Sequence, residues 1–161
     1  MPPFFTHEQK LKGVSVGKGA RNAAKLMLKH NVFMTGGADM FGQRLQEKRK
    51  EDITCKVNEV GYPPAHVWKM HTGNAGKVLK WSGPLAPYPT YALGRIAAES
   101  YADILLWDKN PVEDINVILD ESKLVLIMKD GLFYKNIMVD PKNPAYLQAS
   151  TSITRHYDPI Q

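Results

Sequence analysis

A short apolar run between a helix and two glycines places the strongest constraint on how this chain can fold. Residues 32–35 read Val-Phe-Met-Thr; they follow an amphipathic stretch over 20–30 and precede Gly-Gly-Ala-Asp at 36–39. A short, continuously apolar run of this kind predicts a buried parallel strand. Because a lone parallel strand leaves its backbone N–H and C=O groups without partners, we expect the fold to be incomplete on its own.

The helix before this strand is predicted from its apolar period. Apolar residues recur at positions 20, 23, 24, 27 and 28, which form one face of a helix. A separate short helix is predicted over 6–12, capped by Thr6, with the glycines at 13, 17 and 19 in surface structure between the two helices. Further along, Pro63-Pro64 predicts the start of a third helix, and Thr72 predicts the cap of a short fourth one.

Composition and charge exclude several classes of protein. The chain has 161 residues, one cysteine, and 21 Lys+Arg against 16 Asp+Glu, a net charge of +5. No apolar run reaches the ~18 residues of a membrane span, and the first residues do not resemble a signal peptide. We therefore expect a cytoplasmic protein without a membrane partner, or a periplasmic or secreted one if a segment ahead of Met1 carries a signal peptide. The basic run over 48–50 has acidic neighbours, which predicts a solvated face and no nucleic-acid partner.

The last third of the chain predicts a small β-structure. Strands are predicted over 102–107 and 123–129, which are rich in Ile and Leu. Asp130-Gly131 is a strong signal for a two-residue hairpin, and Leu-Phe-Tyr at 132–134 returns as the partner strand. After residue 136 prolines are frequent and periodicity is lost, so we expect an extended tail on the surface.

Two stretches resemble the closing segment of the metal-dependent amidohydrolase superfamily. Residues 94–115 read GRIAAESYADILLWDKNPVEDI, with the family's G-x-I, A-D-hydrophobic and N-P-x-x-D-I elements in order. Residues 125–136 read VLIMKDGLFYKN and contain its hydrophobic-K-D-G hairpin. The stretch HTGNA at 71–75 is similar to the family's helical A-T-x-N-A-A motif. The sequence most resembles the branch of imidazolonepropionase-like and Xaa-Pro-dipeptidase-like proteins.

This resemblance implies an α/β fold made of parts of two domains. Residues 1–84 would form the C-terminal end of a (β/α)8 TIM-like barrel, with the final strand at about 32–35 and helices after it. Residues 85–136 would supply strands of a small β-sandwich, or composite, domain, and residues 137–161 an extended tail. Only the last helix–strand unit or units of the barrel lie in this sequence, so the resemblance also predicts an incomplete fold.

The resemblance assigns the catalytic position to Asp39. In the family, the aspartate after the last barrel strand binds metal, accepts a proton from the metal-activated water and passes it to the leaving group. The family's G-T-D or G-S-D is represented here by Gly37-Ala38-Asp39, so alanine replaces the small polar residue. Taken alone, an aspartate after two glycines is also a common turn or cap residue.

The remaining metal ligands of the family are not found in this sequence. It contains no His-x-His pair, and none of its five histidines is placed at a barrel strand end. His66 and His71 are five apart, which does not put them on one helix face, so we expect packing or surface roles for both. Asp39 is thus the candidate metal ligand here, and a divalent ion, with zinc favoured, would need its other ligands from elsewhere. No substrate-binding residue is identified.

The resemblance implies hydrolysis of a C–N bond in a small-molecule substrate, such as a non-peptide amide, a cyclic amide or a dipeptide-like compound. Because one carboxylate cannot hold a catalytic metal, we expect this chain alone to be inactive. Its expected partner is a complementary chain that carries the rest of the barrel, or a second copy in a homo-oligomer. The alternative is a truncated, non-catalytic module with a structural or interaction role.

Overall fold

Helices occupy the first half of the chain and a three-stranded antiparallel sheet the second. The computed structural model describes residues 4–38, 42 and 48–138. The helices are α1 (His7–Lys29), α2 (Arg49–Asn58), α3 (Pro64–Lys69) and α4 (Ala75–Trp81), and a π-helical turn at Met70–Asn74, the π-turn, joins α3 to α4. Short 3-10 helices lie at Gly83–Leu85, Ile115–Leu119 and Glu121–Lys123, and the strands are β1 (Ile104–Trp107), β2 (Leu124–Lys129) and β3 (Leu132–Asn136).

The N-terminal helix α1 is a single helix, so the prediction of two helices separated by glycine turns was wrong. Thr6 caps it as expected: its Oγ1 accepts a hydrogen bond from Gln9 N–H at 3.2 Å, and Gln9 Oε1 accepts one from Thr6 N–H at 2.8 Å. The glycines at 13, 17 and 19 lie inside the helix. Each costs about 1 kcal/mol relative to alanine, but glycine, unlike proline, keeps its backbone N–H for the helical hydrogen bond, so the helix continues through all three.

The segment 32–38 after α1 does not form the predicted buried strand. It carries no regular secondary structure, and Val32 and Phe33 are each 45% exposed. A strand needs a neighbouring strand to receive its backbone hydrogen bonds, and no strand of the described residues lies beside it. The segment is instead joined to helices, because Val32 N–H donates to Met27 O and Gly36 N–H donates to Met70 O.

A small core holds the helices together. Tyr62, Val67 and Met70 are buried to 4% exposure or less and pack with partly buried apolar residues of α1, α2 and the segment after α1. The Tyr62 hydroxyl donates a hydrogen bond of 2.7 Å to the carbonyl of Ala24. Pro64 is the first residue of α3, as predicted from its missing N–H. This core fixes α3 against α1.

Thr72 is not the predicted cap of a separate helix. It lies inside the π-turn, and its hydroxyl donates to the carbonyl of Trp68 one turn earlier, at 2.7 Å. The chain therefore continues without interruption from α3 into α4, which ends at Trp81 before Gly83 and Pro84, as expected. A threonine side chain can bond back to the preceding turn of a helix, and that bond replaces the cap.

The sheet has the order β1-β2-β3, with both pairs antiparallel. The predicted hairpin is confirmed: Asp130 and Gly131 both have positive φ, 51° and 79°, as a two-residue type I′ turn requires. In the 3-10 helix that connects β1 to β2, Ile115 and Ile118 are each 2% exposed. Asn58 of α2 donates a 2.8 Å hydrogen bond to Asn116, which links the helices to this region.

The described residues thus form a small α/β unit with one three-stranded sheet, and they do not form a barrel. The predicted division at 84 and 136 stays a prediction. Of the tail predicted over 137–161, residues 139–161 lie outside the described part of the chain. Within the described ranges, no helix is both long and apolar enough to cross a membrane.

Candidate functional site

An open groove lies between the continuous helix α3–α4 and the β1–β2 side of the sheet. It encloses about 760 Å³ and is lined mainly by apolar side chains, among them Trp68, Leu93 and Trp107. His71 contributes to the wall on the helix side, and Lys129 on the sheet side. We call it the helix–sheet groove. Its lining resembles that of ligand pockets, which combine apolar walls with a few polar groups.

His71 is the unusual polar residue of this region. It lies in the π-turn, and its Nε2 atom is buried without a hydrogen-bond partner among the described residues. The ring rests on Gly36: a Cβ atom placed at Gly36 would lie 2.2 Å from His71 Cε1. Burial lowers the pKa of His71 from its ordinary value, and the positive charge of Lys56 lowers it further, while Asp52 acts in the opposite sense. The imidazole is therefore neutral at pH 7.

Two hydrogen bonds attach the segment that precedes Asp39 to the π-turn. Gly36 N–H donates to the carbonyl of Met70 at 3.0 Å, and the buried Asn74 donates from Nδ2 to the carbonyl of Met34 at 2.7 Å. The chain is thus fixed by its backbone at positions 34 and 36. Asp39 itself lies outside the described residues, so its catalytic and metal-binding role stays a prediction.

Asp103 connects the A-D element before β1 to the K-D-G element of the hairpin. Its Oδ1 accepts hydrogen bonds from the N–H of Asp130 at 2.8 Å and from Lys129 Nζ at 3.2 Å, while the carbonyl of Ala102 accepts from Gly131 N–H at 3.1 Å. Lys129 also pairs with Asp130 at 2.7 Å. Burial lowers the pKa of Lys129, but the hydrogen bonds to Asp130 and Asp103 outweigh it and raise the pKa above its usual range. The two motifs therefore anchor the hairpin to β1.

The N-P-x-x-D-I element also has an architectural role. Asn110 Oδ1 accepts from Val112 N–H at 3.0 Å, and Asp114 Oδ1 accepts from Asn116 N–H at 2.9 Å, so the two side chains shape consecutive turns. These turns deliver Ile115 into the core. The carbonyl of Pro111 accepts from Trp68 Nε1 at 3.1 Å, which ties the turns to α3. The motif specifies the fold and brings no reactive group together.

The loop before β1 approaches the helix through two glycines. Gly94 has a positive φ of 75°, and a Cβ atom there would lie 2.3 Å from the carbonyl oxygen of Thr72. On the helix, a Cβ atom at Gly76 would lie 2.3 Å from the carbonyl oxygen of Leu93. The absence of both Cβ atoms lets two backbones touch at this end of the helix–sheet groove.

The described residues do not by themselves fit a catalytic metal ion. In the described ranges, no group of three or more His, Cys, Asp and Glu side chains is close enough together to hold one. Catalytic sites of this type need about three protein ligands and an open position. A resident ion would therefore depend on donors from outside the described part of this chain.

Comparison with solved structures shows which known proteins share the fold of this chain. Ochratoxinase from A. niger matches with a TM-score of 0.70 and 20% identity, over 85% of this chain and 29% of its own. An amidohydrolase matches with a TM-score of 0.61 and 25% identity, over 74% of this chain and 26% of its own. A prolidase complexed with N-methylphosphonate-L-proline matches with a TM-score of 0.63 and 25% identity, over 84% of this chain and 30% of its own.

The chain is a structural relative of the amidohydrolase superfamily. The ochratoxinase match shows the fold, and the prolidase match supports a relationship to the Xaa-Pro-dipeptidase-like branch. No protein-family model matches the sequence, and a search of curated proteins gives no significant match. The chain spans about 30% of the length of these amidohydrolase-superfamily neighbours, which agrees with a partial domain.

Sequence reasoning missed the parts of this amidohydrolase-like unit that meet in space. His71 was expected to pack or to lie on the surface, and its fit against Gly36, 35 positions earlier, follows no local spacing rule. Asn74 lies in the stretch that resembles the A-T-x-N-A-A motif. That resemblance is the sequence feature that could have indicated its hydrogen bond to Met34. His66 also has a buried Nε2 without a partner among the described residues, and its ring packs on Tyr62.

The lowered pKa of His71 predicts a loss of stability in mild acid. Below the ordinary value of 6.5, the unfolded chain takes up a proton more readily than the folded one, so the free energy of unfolding falls until the pH reaches the folded pKa. Urea denaturation between about pH 8 and pH 5 measures this fall. His71→Asn should flatten the curve in that range, whereas His7→Asn, at an exposed position, should not. An unchanged curve for His71→Asn would contradict the assignment.

Proposed function

We propose that this chain is the closing part of a metal-dependent hydrolase that cleaves C–N bonds in non-peptide amides, cyclic amides or dipeptide-like compounds. The observation that carries the proposal is the structural likeness to an amidohydrolase and a prolidase over 74% and 84% of this chain. The described motifs account for architecture, so the catalytic assignment rests on the resemblance at Asp39. Gly36 and Asn74 fix the segment before that residue to a helix, which supports a catalytic carboxylate at this place.

The proposed metal site is shared between polypeptide segments. The described donors do not fit an ion by themselves, so we assign the ion, with zinc favoured, to ligands on barrel strands outside this sequence together with Asp39. A chain that lacks those strands is inactive in this proposal. The substrate is a small molecule, and its binding residues would come from loops of the same strands.

Exposed apolar surface supports a partner that supplies those strands. None of the 23 residues of α1 is buried, and Leu26 is 56% exposed beside Val32 and Phe33 at 45% each. Burial of apolar surface contributes about 25 cal/mol per Å², so a partner that covers this region gains binding energy and also bonds to those backbone groups of residues 32–35 that Met27 and Asn74 do not already occupy. A complementary chain that carries the other barrel strands fits both requirements, and a homo-oligomer fits the first.

Co-expression tests the proposal directly. A second polypeptide that carries the His-x-His pair and the remaining barrel strands should co-purify with this chain, bind a divalent metal by elemental analysis, and hydrolyse N-acyl-proline compounds. Activity should disappear with a chelator and return with metal. Asp39→Asn should abolish turnover, whereas Asp108→Asn, in an exposed pair with Lys123, should leave it intact. Two chains that remain separate and metal-free would contradict the proposal.

A second candidate function is a non-catalytic interaction module, and the sheet favours it. Ile115, Ile118 and Leu126, in and around the sheet, are each at most 8% exposed. In the described residues, β1 and β3 are both edge strands with free backbone groups, and such edges pair readily with other chains. This candidate requires a folded, soluble oligomer of the chain alone that contains no metal. Size-exclusion chromatography with elemental analysis distinguishes it from the enzyme.

A further inference from the structure

We propose that Gly36, His71 and Asn74 form a latch in which the two side chains of the π-turn are positioning residues for the segment that carries Asp39. The inference rests on the proposed function for its catalytic consequence, but its geometry stands on the described residues. We call the three residues the π-turn latch. It assigns a task to a histidine and an asparagine that the proposed hydrolysis does not use directly.

The first part of the latch is the widened helical turn. π-helical turns are rare in proteins, and those that occur are often found at functional sites. They change which backbone groups the helix offers to neighbouring segments. Here the turn begins at Met70, whose carbonyl accepts the hydrogen bond from Gly36 N–H at 3.0 Å. The turn ends at Asn74, whose side chain is 6% exposed and reaches the carbonyl of Met34 at 2.7 Å. Both ends of one turn thus hold neighbouring positions of a single segment.

The second part is the steric fit between His71 and Gly36. A Cβ atom at Gly36 would lie 2.2 to 2.3 Å from three atoms of the imidazole ring, so any side chain there must displace the ring or the segment. At the next residue, Gly37, a Cβ atom would meet no atom of the described residues within 4 Å. The contact is therefore specific to one position. It fixes how closely the segment lies on the helix.

These contacts restrain the segment in complementary ways. The bonds from Asn74 and to Met70 fix its distance and register along the helix, and the ring of His71 limits how far it can move inward. The described segment otherwise has no strand partner to hold it. The latch thus holds the chain at Gly36, three positions ahead of Asp39, in addition to the contacts that residues 32–34 make earlier in the segment. Placement of a catalytic group to within a fraction of an ångström requires such supporting contacts.

A double-mutant cycle on the isolated chain tests the geometry. The latch requires the ring of His71 to stay in place, so Gly36→Ala should move the segment from the helix, break the bond to Met70 and raise the hydrogen-exchange rate of the residue 36 amide at least about tenfold. His71→Ala removes the ring, so Gly36→Ala combined with His71→Ala should recover most of the lost protection. Gly37→Ala is the matched control and should leave that amide unchanged. Unaltered protection in Gly36→Ala, or no recovery in the double variant, would overturn the latch.

The catalytic consequence is tested in the co-expressed assembly. Gly36→Ala should lower kcat at least about tenfold with little change in KM, and His71→Ala in that background should restore part of kcat. An active assembly in which Gly36→Ala leaves kcat unchanged overturns the positioning role. An assembly that is inactive with the unmodified chain counts against the proposed function, while the exchange experiment on the chain alone still decides whether the latch exists.

Discussion

Replacing Gly94 with alanine should lower the free energy of unfolding by about 2–5 kcal/mol. Two costs combine at this position. The residue has a φ of 75°, which an L-residue adopts at a cost of about 1–2 kcal/mol. The new Cβ would also lie 2.3 Å from the carbonyl oxygen of Thr72, a backbone atom of the helix that cannot rotate away. Urea denaturation followed by circular dichroism measures the loss.

Gly131 provides a matched control for the two costs. It has a similar φ of 79°, but a Cβ atom there would meet no atom within 4 Å in the part of the chain that the structure describes. Gly131→Ala should therefore show only the conformational cost of about 1–2 kcal/mol. Equal losses in the two variants would mean that the contact between Gly94 and the helix does not limit the packing of the loop.

Replacing Asp103 with alanine should lower the free energy of unfolding by about 2–3 kcal/mol. The carboxylate is three-quarters buried and accepts from the N–H of Asp130 and from Lys129. Its removal takes away the protein acceptor of the Asp130 N–H and weakens the attachment of the turn, which the bond from Gly131 N–H to the carbonyl of Ala102 still holds. We expect the loss in urea denaturation, together with faster hydrogen exchange at the amides of 130 and 131.

Asp103→Asn separates the hydrogen bond from the ion pair. The amide oxygen can still accept from Asp130 N–H, whereas the charge that pairs with Lys129 is gone. Because Lys129 is more than one-third exposed, solvent screens the pair, and the expected loss is about 1 kcal/mol or less. An asparagine variant as unstable as the alanine variant would show that the ion pair, and not the backbone bond, holds the turn.

The sheet was predictable from the sequence because its determinants are local. Asp130-Gly131 supplies the two positive φ angles of the hairpin within two residues. The strands beside it alternate little but are rich in β-branched and aliphatic residues, and their bounds were predicted to within a few positions. Pro64 likewise fixed a helix start through its own missing N–H. In each case one or two adjacent residues determine the local backbone structure.

The predictions that were wrong concern segments whose structure depends on residues far away in the sequence. The glycines of α1 predicted an interruption between two helices, yet a single helix continues through them. The apolar run over 32–35 has the composition of a buried strand but lacks the neighbours that would make it one. Thr72 was predicted to cap a helix, and its hydroxyl bonds instead within a continuous one. Local patterns carry no information about which partners are present.

The candidate site was predictable only in part, for a related reason. The resemblance assigned the catalytic position to Asp39 by sequence order, and this assignment stays a prediction, whereas the fit of His71 to Gly36 joins residues 35 positions apart. The ring of His71 fills the space that a Cβ atom at Gly36 would need. Neither the composition nor the apolar period of the sequence indicates this contact. The family motifs around residues 94–115 turned out to specify turns and anchors. The solved structures therefore confirm the family relationship that the motifs indicated, whereas the chemistry of the site stays a prediction.

The helix α1 has a consequence for the electrostatics of assembly. It carries six Lys and Arg residues and one Glu, a net charge of +5 that equals the charge of the entire chain, so the rest of the sequence is neutral overall. Two copies that meet across α1 bring like charges together, and dissolved salt relieves that repulsion, since the screening length is about 10 Å at 0.1 M. An acidic partner on the same helix would lose attraction under the same conditions. Ionic strength therefore acts in opposite directions on self-association and on docking to an acidic partner.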